Sequence, residues 1–236
     1  MSTPPITIIG AGIAGLTAAY TLHQAGLTPR VLEAGQRIGG RVDSLYSKDG
    51  QAIADLGPTW VWPPFQPIIA RWLQTLELAT FDQYDQGDAV LEGFAPTLRR
   101  QPLPGQYGMA RLVGGPQQLV RALTEALPAE TITTQTPVHE ISQSDDGALQ
   151  LQCDNGVIHT DYALVATPPR IAAESIKLPT ALSDHALSTL QAMPTWMAAQ
   201  ARAVIRYEKP FCRNCGLSGL ITNRTGLLFE AHVLSI

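Results

Sequence analysis

The glycine-rich segment at residues 10–15, "GAGIAG", is the feature that most restricts how this chain can fold. An apolar run at residues 6–9 comes directly before it, and apolar residues follow it with helical spacing as far as Gly26. A second apolar run then ends at Glu33. A strand, a glycine turn, a helix and a second strand within about 30 residues form a βαβ unit with parallel strands. The sequence therefore predicts an α/β fold that starts at its N-terminal residues.

Composition limits the class of protein. Hydrophobic residues make up 45% of the chain and charged residues 15%, with a formal net charge of -4, which argues against disorder and against binding to nucleic acid. No Lys or Arg precedes Arg30, and no apolar run approaches the ~20 residues that span a bilayer. We therefore expect a soluble, cytoplasmic protein with neither nucleic acid nor membrane as a partner.

The cysteines and histidines give little sign of metal chemistry. Three cysteines in a chain without an export signal argue against a disulfide framework. Cys212 and Cys215 form a single C-x-x-C, which is either a half-site for zinc or a redox pair, but there is no second pair. The five histidines are scattered. No metal site is predicted.

Further elements follow from periodicity. We expect a strand near residues 51–56, two helices at about residues 67–78 and 114–128, a β-meander between residues 131 and 162, and a helix at residues 182–192. The run "ALVAT" at residues 163–167 is expected to be a fully buried parallel strand, and residues 196–211 a long strand. One face of the first of the two helices carries Ile68, Ile69, Trp72, Leu73 and Leu76.

The G-x-G-x-x-G spacing also predicts a nucleotide site. Each glycine has a physical role there: a tight turn, close backbone approach to a pyrophosphate, and close packing of the helix on the strand. Glu33 lies where a carboxylate accepts hydrogen bonds from ribose hydroxyls, and it would repel a 2′-phosphate, which leaves NAD or FAD. The alternatives are a glycine turn without a nucleotide and a solvated acid at a strand end.

After Glu33, the triplet Gly39-Gly40-Arg41 completes a pattern that resembles the flavin-containing amine oxidase family. In that family the G-x-G-x-x-G motif, a glutamate at the end of the second strand and a following G-G-R triplet together bind FAD. "ADLGPTWV" looks like the family's loop beside the flavin, and "LVGGPQQLVRAL" like its central helix. "PVHEIS", "DYALVATPP" and "RYEKPFCRNCGLSG" are similar to its adenine-contacting strand, its return strand and a later sheet segment. Phytoene desaturases and protoporphyrinogen oxidases are similar only near the N-terminus.

The resemblance implies FAD as the cofactor and a role for each site residue. Residues 10–15 would hold the pyrophosphate, Glu33 the ribose, and Arg41 a phosphate or the flavin edge. Residues 57–59 would lie along the isoalloxazine ring, Val138 would offer main-chain groups to adenine, and Thr167 would close over the cofactor. The expected FAD contacts are Gly10, Gly12, Ile13, Ala14, Gly15, Glu33, Gly39, Gly40, Arg41, Gly57, Pro58, Thr59, Val138 and Thr167. Val138 and Thr167 also fit ordinary strand positions.

The chain departs from the family at several positions. Gly35 stands where the family usually has an arginine, so FAD would be held less firmly unless Arg37 or Arg41 compensates. Arg202 matches the family's lysine that holds a water against flavin N5, and it is our expected catalytic residue; the alternative is a strand arginine facing solvent. The family's Pro-Phe-Trp becomes Pro-Phe-Cys at residues 210–212. Two tryptophans after the flavin loop, Trp60 and Trp62, belong either to a substrate cavity or to the core.

The family continues well beyond the point that corresponds to Ile236, so its C-terminal half has no counterpart in this chain. We expect an FAD-binding lobe of Rossmann type at residues 1–57 and 109–169, and a partial α+β substrate lobe at residues 58–108 and 170–236. Without the remaining elements, exposed apolar faces would favour self-association or a partner chain that completes the fold.

By resemblance, the implied function is oxidation of a small-molecule amine by hydride transfer to flavin, with O2 reoxidising the flavin and giving H2O2. Three alternatives stay open at this point. One is a related FAD-dependent desaturase or oxidase, and another is a catalytically silent FAD-binding fragment or subunit. The third, an NAD dehydrogenase, is disfavoured by the Gly39-Gly40-Arg41 match.

Overall fold

The computed structural model describes residues 6–103, 107–144, 147–195 and 201–233. The chain divides into two compact units. The first unit comprises Met1–Asp43 and Pro116–Arg202, and the second comprises Ser44–Gly115 and Ala203–Ile236. The assignment of a cofactor lobe to residues 1–57 and 109–169, and of a substrate lobe to residues 58–108 and 170–236, stays a prediction.

The described residues form both strands and helices, most of the strands in consecutive runs. The strands are β1 (Ile6–Ile9), β2 (Pro29–Leu32), β3 (Ser44–Tyr46), β4 (Ala52–Asp55), β5 (Thr80–Asp82), β6 (Asp88–Glu92), β7 (Arg99–Pro102), β8 (Ala110–Leu112), β9 (Ile132–Thr133), β10 (Val138–Gln143), β11 (Leu149–Cys153), β12 (Gly156–Thr160), β13 (Tyr162–Val165), β14 (Leu217–Asn223) and β15 (Glu230–His232). The helices are α1 (Ile13–Gln24), α2 (Pro67–Thr75), α3 (Gln117–Glu125), α4 (Pro169–Ser175), α5 (Asp184–Ala192) and α6 (Phe211–Asn214).

The predicted N-terminal βαβ unit is confirmed. β1 and β2 pair in parallel with Ile6 opposite Pro29, and α1 connects them. The apolar residues that predicted these elements are buried, with Ile8, Leu16 and Val31 all fully enclosed. Because β1 is buried on both faces, its sequence is a nearly continuous apolar run and does not alternate with polar residues.

The parallel sheet of the first unit has the strand order β13-β1-β2-β9. The chain leaves β1 towards β2 on one side, whereas β13 lies on the other side, so the strand order reverses at β1. Open α/β sheets bind ligands beyond the carboxyl ends of the strands at such a reversal. A ligand site is therefore expected beside the residues that follow β1 and β13.

The full burial predicted for residues 163–167 is wrong, although the parallel strand itself is confirmed. β13 is an edge strand among the described residues, with Tyr162 61%, Leu164 44% and Val165 37% exposed. An apolar run indicates a strand that pairs within a parallel sheet. It does not show whether another element packs against the free side of that strand.

The predicted β-meander is also confirmed. β10, β11 and β12 form an antiparallel sheet in which Leu151 lies opposite both Ile141 and Ile158. Its apolar face shares a core with the parallel sheet, because Ile9 and Leu32 pack in the same cluster as Ile141 and Leu151. The meander is thus fixed close to the carboxyl ends of β1 and β2.

The helices follow the predicted periodicity with one exception. α3 and α5 occupy the expected segments, and Leu123 on α3 is fully buried. On α2, Leu73 is buried, whereas Ile68 is 69% exposed. The predicted apolar face of α2 is therefore only partly covered.

The long strand predicted at residues 196–211 is wrong for residues 201–211. Residues 196–200 lie outside the described residues, residues 201–207 have no regular secondary structure, and α6 begins at Phe211. A strand needs a hydrogen-bonded neighbour, and none of the described residues pairs with residues 201–207.

The second unit contains a four-stranded sheet with the order β15-β14-β6-β7 and two separate pairs, β3-β4 and β5-β8. β14 is parallel to β6 and antiparallel to β15. The mixture of helices and strands in both units confirms the α/β class. None of the helices in the described residues is long and apolar enough to cross a membrane.

Candidate cofactor site

The glycine turn after β1 packs tightly on one side and is open on the other. Gly10 has φ +105 and donates its N–H to the carbonyl oxygen of Leu32 at 2.8 Å. A Cβ on Gly15 would lie 1.9 Å from the carbonyl oxygen of Gly10, so helix and turn approach too closely for any side chain. A Cβ on Gly12 would meet nothing within 4 Å. The turn therefore leaves open space at Gly12.

That open space lies at the N-terminus of α1. Gly12 is the N-cap residue, and no side chain of the described residues caps the helix. Ile13 and Ala14 begin the first turn, which contains no acidic residue. The first N–H groups of a helix have no partner within the helix, and they carry a partial positive charge that favours an anion.

Glu33 links the end of β2 to the glycine turn. Its Oε2 accepts a hydrogen bond from the N–H of Ala11 at 2.8 Å, and its Oε1 accepts one from the N–H of Gly35 at 2.9 Å. Each carboxylate oxygen has two acceptor positions, so both oxygens retain capacity for ribose hydroxyls. The carboxylate is half-buried.

The main chain of Glu33 also fixes the segment that leads into β10. The N–H of Glu33 donates to the carbonyl oxygen of Thr133, and its own carbonyl oxygen accepts from the N–H of Thr136, both at 2.9 Å. Val138 follows two residues later at the start of β10, where it is buried opposite Cys153 beside an irregularity in the register. The structure thus brings the start of β10 close to Glu33.

The two glycines at positions 39 and 40 pack against the glycine turn. Gly39 donates its N–H to the carbonyl oxygen of Ala11 at 2.8 Å, and it forms an isolated parallel bridge with Gly12. Gly39 has φ +98 and Gly40 φ +58, and a Cβ on Gly40 would lie 3.2 Å from the Cα of Gly12. Both glycines are needed here for positive φ and close approach. The exposed Arg41 follows directly.

Arg37 has a role that the sequence did not reveal. Its Nη1 donates to the carbonyl oxygens of Ile38 at 3.2 Å and Val42 at 2.9 Å, and its Nη2 donates to that of Gly40 at 2.8 Å. Asp43 lies 3.6 Å from the same guanidinium. The guanidinium thus holds the loop at residues 38–42. Its compensation for the missing arginine at position 35 stays a prediction. An arginine two residues before a Gly-Gly pair is the only sequence signal for this role.

Thr167 lies on the other side of the turn, two residues after β13. A Cβ on Gly10 would lie 3.0 Å from its Cγ2. The Oγ1 of Thr167 is buried and has no hydrogen-bond partner among the described residues. A buried hydroxyl without a partner is costly, and such groups often mark positions that a ligand or water satisfies.

The predicted flavin loop belongs to the second unit. Gly57, Pro58 and Thr59 follow β4, and Thr59 is only 4% exposed. Val61, just after the loop, exchanges two main-chain hydrogen bonds of 2.9 Å with Ala110. The structure holds this loop in a defined conformation within its own unit.

Trp60 is fixed by polar and aromatic contacts inside the second unit. Its Nε1 donates to Oε1 of Gln83 at 3.0 Å, and its ring lies 4.6 Å from that of His232. The Nε2 of His232 is 2.6 Å from Oε1 of Glu230. Trp60 and Trp62 are both half-buried, and their place in a substrate cavity stays a prediction.

Arg202 and the three cysteines complete the set of residues that the sequence singled out. Arg202 is exposed and lies in the irregular segment at residues 201–207. Cys153, Cys212 and Cys215 are free thiols, and burial raises the pKa of the Cys153 thiol. No group of three or more His, Cys, Asp or Glu residues in the described part of the chain could hold a metal ion.

The residues of the first unit fit an adenine dinucleotide. The open space at Gly12 and the uncapped N-terminus of α1 suit a pyrophosphate, and the Glu33 carboxylate beside them suits a ribose. The buried hydroxyl of Thr167 supplies a further polar group at the same turn.

Comparison with known proteins agrees with this geometry. Residues 8–76 match the NAD(P)-binding Rossmann-like domain, and residues 77–231, more than half of the chain, match the family of flavin containing amine oxidoreductases. Among solved structures, putrescine oxidase bound to putrescine has a TM-score of 0.79 at 19% identity, with 97% of this chain and 72% of that chain covered. Cyclohexylamine oxidase from Brevibacterium oxydans has a TM-score of 0.76 at 16% identity, with 98% and 74% covered.

Curated relatives are similar over shorter segments. Putrescine oxidase of Kocuria rosea is 34% identical over 144 residues, which cover 60% of this chain and 29% of that protein. The probable flavin-containing monoamine oxidase A of Dictyostelium discoideum is 37% identical over 87 residues, covering 37% and 18%. An L-amino-acid oxidase of Siganus canaliculatus is 45% identical over 67 residues, covering 28% and 12%.

The matched segments thus span less than a third of each of these curated relatives. The Rossmann-like match and the shared fold confirm the predicted α/β architecture. The amine oxidoreductase match over more than half of the chain decides between the two nucleotides in favour of FAD. This chain belongs to the family of flavin-containing amine oxidoreductases.

Proposed function

We propose that this chain binds FAD across the glycine turn and contributes to the oxidation of a small-molecule amine. The observation that carries the proposal is the open space at Gly12, at the uncapped N-terminus of α1 and beside the Glu33 carboxylate. When bound, FAD would accept a hydride from the α-carbon of the amine, and O2 would take up the electrons to give H2O2. The family match supports this chemistry.

The chain's own residues would bind and orient the cofactor. The N–H groups at the start of α1 would donate to the pyrophosphate, and Glu33 would accept from the ribose while it still holds Ala11. Thr167 would contribute the hydroxyl that is buried beside Gly10. Val138 would offer main-chain groups to adenine.

The contacts nearer the flavin ring rest on resemblance to the family. Arg41 would donate to a phosphate or to the flavin edge, and the loop containing Gly57, Pro58 and Thr59 would lie along the ring. Arg202 is our candidate for the cation that holds a water at the reaction centre. Its planar, permanently charged guanidinium would hold that water differently from a lysine ammonium.

The cellular setting is also a proposal. We propose the cytoplasm as the location, with no membrane or nucleic acid involved. Exposed apolar residues, among them Leu164 and Val165 on β13 and Phe229 before β15, support self-association or a partner chain that completes the fold.

A second candidate function is that of a catalytically silent FAD-binding fragment or subunit. Two observations favour it: in the described part of the chain β13 is an edge strand with exposed apolar side chains, and Arg202 lies in a segment without regular structure. Under this alternative, FAD binds as proposed but no amine reduces it.

One experiment separates these outcomes. The visible spectrum of the purified chain is recorded with added FAD, and then again without oxygen after addition of putrescine, cyclohexylamine, benzylamine or an L-amino acid. We expect the spectrum of bound flavin and bleaching by at least one amine, with peroxide released when air is admitted. Bound flavin that no amine bleaches would favour the silent subunit, and failure to bind FAD at all would contradict both candidates.

A further inference from the structure

A buried ion pair lies directly before the predicted flavin loop. Nη2 of Arg111 is 3.1 Å from Oδ2 of Asp55, and the two side chains are only 8% and 2% exposed. The hydroxyl of Ser44 donates to Oδ1 of Asp55 at 3.2 Å. Since removing two charges from water offsets most of their attraction, such a pair contributes little net stability, and a role in fixing one particular conformation is the better account.

The ion pair fixes the start of the loop, and Ala110, which precedes Arg111 on β8, fixes its end. β4 ends at Asp55, which is held by Arg111. Val61 exchanges two main-chain hydrogen bonds with Ala110, the residue before Arg111. The two residues that flank the loop at residues 56–60, Asp55 and Val61, are therefore bonded to two consecutive residues of β8.

The surroundings leave the Asp55 carboxylate little freedom. Gly115 has φ +84, and a Cβ at this position would lie 3.1 Å from Oδ1 of Asp55. On the other side, the Arg111 guanidinium lies over the ring of Phe81, 5.5 Å from its centroid. Ser44 on β3, the ring of Phe81 on β5 and the turn at Gly115 after β8 surround the pair, so three separate segments fix its geometry.

We propose that Arg111 is a positioning residue for the loop at residues 56–60, which the proposed function assigns to the flavin: through Asp55, it holds this loop in one conformation. The inference rests on the proposed function, because the effect of the loop is measured through bound FAD. A loop that is already ordered loses less conformational freedom on binding, so holding it raises the affinity for FAD and fixes the contacts along the ring.

The test uses the full chain and variants that preserve folding. Removing one partner alone would leave a buried charge, so the main variant replaces both, as Asp55→Asn with Arg111→Met; Arg111→Lys keeps the charge but loses the planar fork. Leu73→Ala, at a buried position of α2 in the same unit, provides a control for general destabilisation. Arg100→Met, at an exposed position of β7, controls for loss of a guanidinium.

We expect the double variant to keep a melting temperature near that of the wild type while its Kd for FAD rises about tenfold. In the double variant, the fine structure of the visible band of bound flavin and the reduction potential of the flavin should change as well. Arg111→Lys should give values between those of the wild type and the double variant. Leu73→Ala should lower the melting temperature and leave the spectrum of bound flavin unchanged.

Wild-type affinity, spectrum and potential in the double variant would overturn the inference, as would the same flavin changes in Leu73→Ala. If the double variant does not fold, Arg111→Lys is judged by the same criteria. A wild-type chain that takes up no FAD would overturn the proposed function together with this inference, whereas normal binding by every variant would overturn this inference alone.

Discussion

The carboxylate of Glu33 accepts a hydrogen bond from the main-chain N–H of Ala11, with 2.8 Å between Oε2 and the nitrogen. The acid at the end of β2 thus holds the turn that follows β1, although 22 positions separate the two residues in the chain. The residue expected to bind the ribose therefore also shapes the glycine turn. Changes at Glu33 should affect both folding and cofactor affinity.

The first prediction concerns Glu33→Gln. One side-chain oxygen becomes an NH2 group that cannot accept, so the hydrogen bond from Ala11 or from Gly35 is lost. Because hydrogen bonds to charged groups contribute about 1.5–3 kcal/mol, we expect the free energy of unfolding in urea to fall by a value near the lower end of that range. FAD titration should show a Kd raised by about tenfold or more.

The matched control is Glu125→Gln, which removes a carboxylate from an exposed i,i+4 pair with Arg121 on α3. It should change the free energy of unfolding by no more than about 0.5 kcal/mol and leave the Kd for FAD as in the wild type. An unchanged Kd in Glu33→Gln would contradict the placement of the ribose.

The second prediction separates two glycines of the turn. In Gly15→Ala, the new methyl would lie 1.9 Å from the carbonyl oxygen of Gly10, so the turn and α1 must move apart at a cost of about 1–3 kcal/mol. In Gly12→Ala, the methyl enters open space at φ −75, so folding should lose no more than about 1 kcal/mol. Both variants should bind FAD weakly, but only Gly15→Ala should also melt well below the wild type.

Calorimetric titration with FAD and thermal melting by circular dichroism check this pair. Gly26→Ala provides the comparison for a glycine outside the turn, because its φ is +77 and a Cβ there would meet nothing within 4 Å. It should lose stability through backbone strain and bind FAD normally. Tight FAD binding by Gly12→Ala would show that the open space at this glycine is not where the cofactor lies.

The third prediction concerns Arg37. Arg37→Met removes the donors to the carbonyl oxygens of Ile38, Gly40 and Val42, and Arg37→Lys cannot supply them in one plane. Because the side chain is partly exposed, the free energy of unfolding should fall by about 1 kcal/mol. The affinity for FAD should fall as well, because Gly39 and Gly40 lie against the glycine turn, where the pyrophosphate is expected. Arg30→Met, at an exposed position of β2, is the control. Equal FAD affinity in Arg37→Met and Arg30→Met would refute this role.

The fourth prediction concerns thiol reactivity. Burial raises the pKa of Cys153, and the neighbouring Asp154 carboxylate acts in the same direction, so this thiol stays protonated and unreactive near pH 8. Cys215 is exposed. We expect Ellman's reagent to modify Cys215 first and Cys153 only after unfolding, and Cys215→Ser should remove the fast phase. Rapid modification of Cys153 in the folded chain would contradict its burial.

The same pKa shift has a consequence for stability. An unfolded cysteine has a pKa of about 8.5, whereas burial raises the pKa of the folded Cys153 thiol, so the folded chain retains this proton to higher pH. The folded state therefore binds more protons above that pH, and this contribution to the free energy of unfolding should fall as the pH rises further. Comparison of urea unfolding at pH 7 and pH 9.5 in the wild type and Cys153→Ala isolates it. An identical pH dependence in the two chains would contradict the raised pKa.

Much of the first unit could be predicted because its signals are local. The strand before Gly10, the glycine turn and α1 each depend on residues adjacent in the chain, and the turns of the β-meander do so as well. The family resemblance then brought together the glycine turn, Glu33 and the two glycines at 39 and 40, which the structure places in contact. Their roles towards FAD stay predictions.

The errors arose where a pattern depends on a distant partner. The run at residues 163–167 has the composition of a covered strand, yet among the strands that the structure describes β13 lies at the edge of the sheet, with Leu164 exposed. Residues 201–207 have a strand-like sequence, but no described strand pairs with them. Hydrogen-bonded neighbours and covering layers come from elsewhere in the fold, and local periodicity does not contain them.

The sequence by itself determined the βαβ unit and the chemical types at the site: glycines where the backbone must come close, and one acid where a sugar is expected. Only the tertiary structure decided which groups hold those residues. Glu33 bonds to Ala11, Arg37 holds the loop around Gly40, and Arg111 meets Asp55 across 56 positions of sequence. The physical reason is that local propensity acts between chain neighbours, whereas hydrogen bonds and ion pairs depend on distances that exist only after the chain has folded.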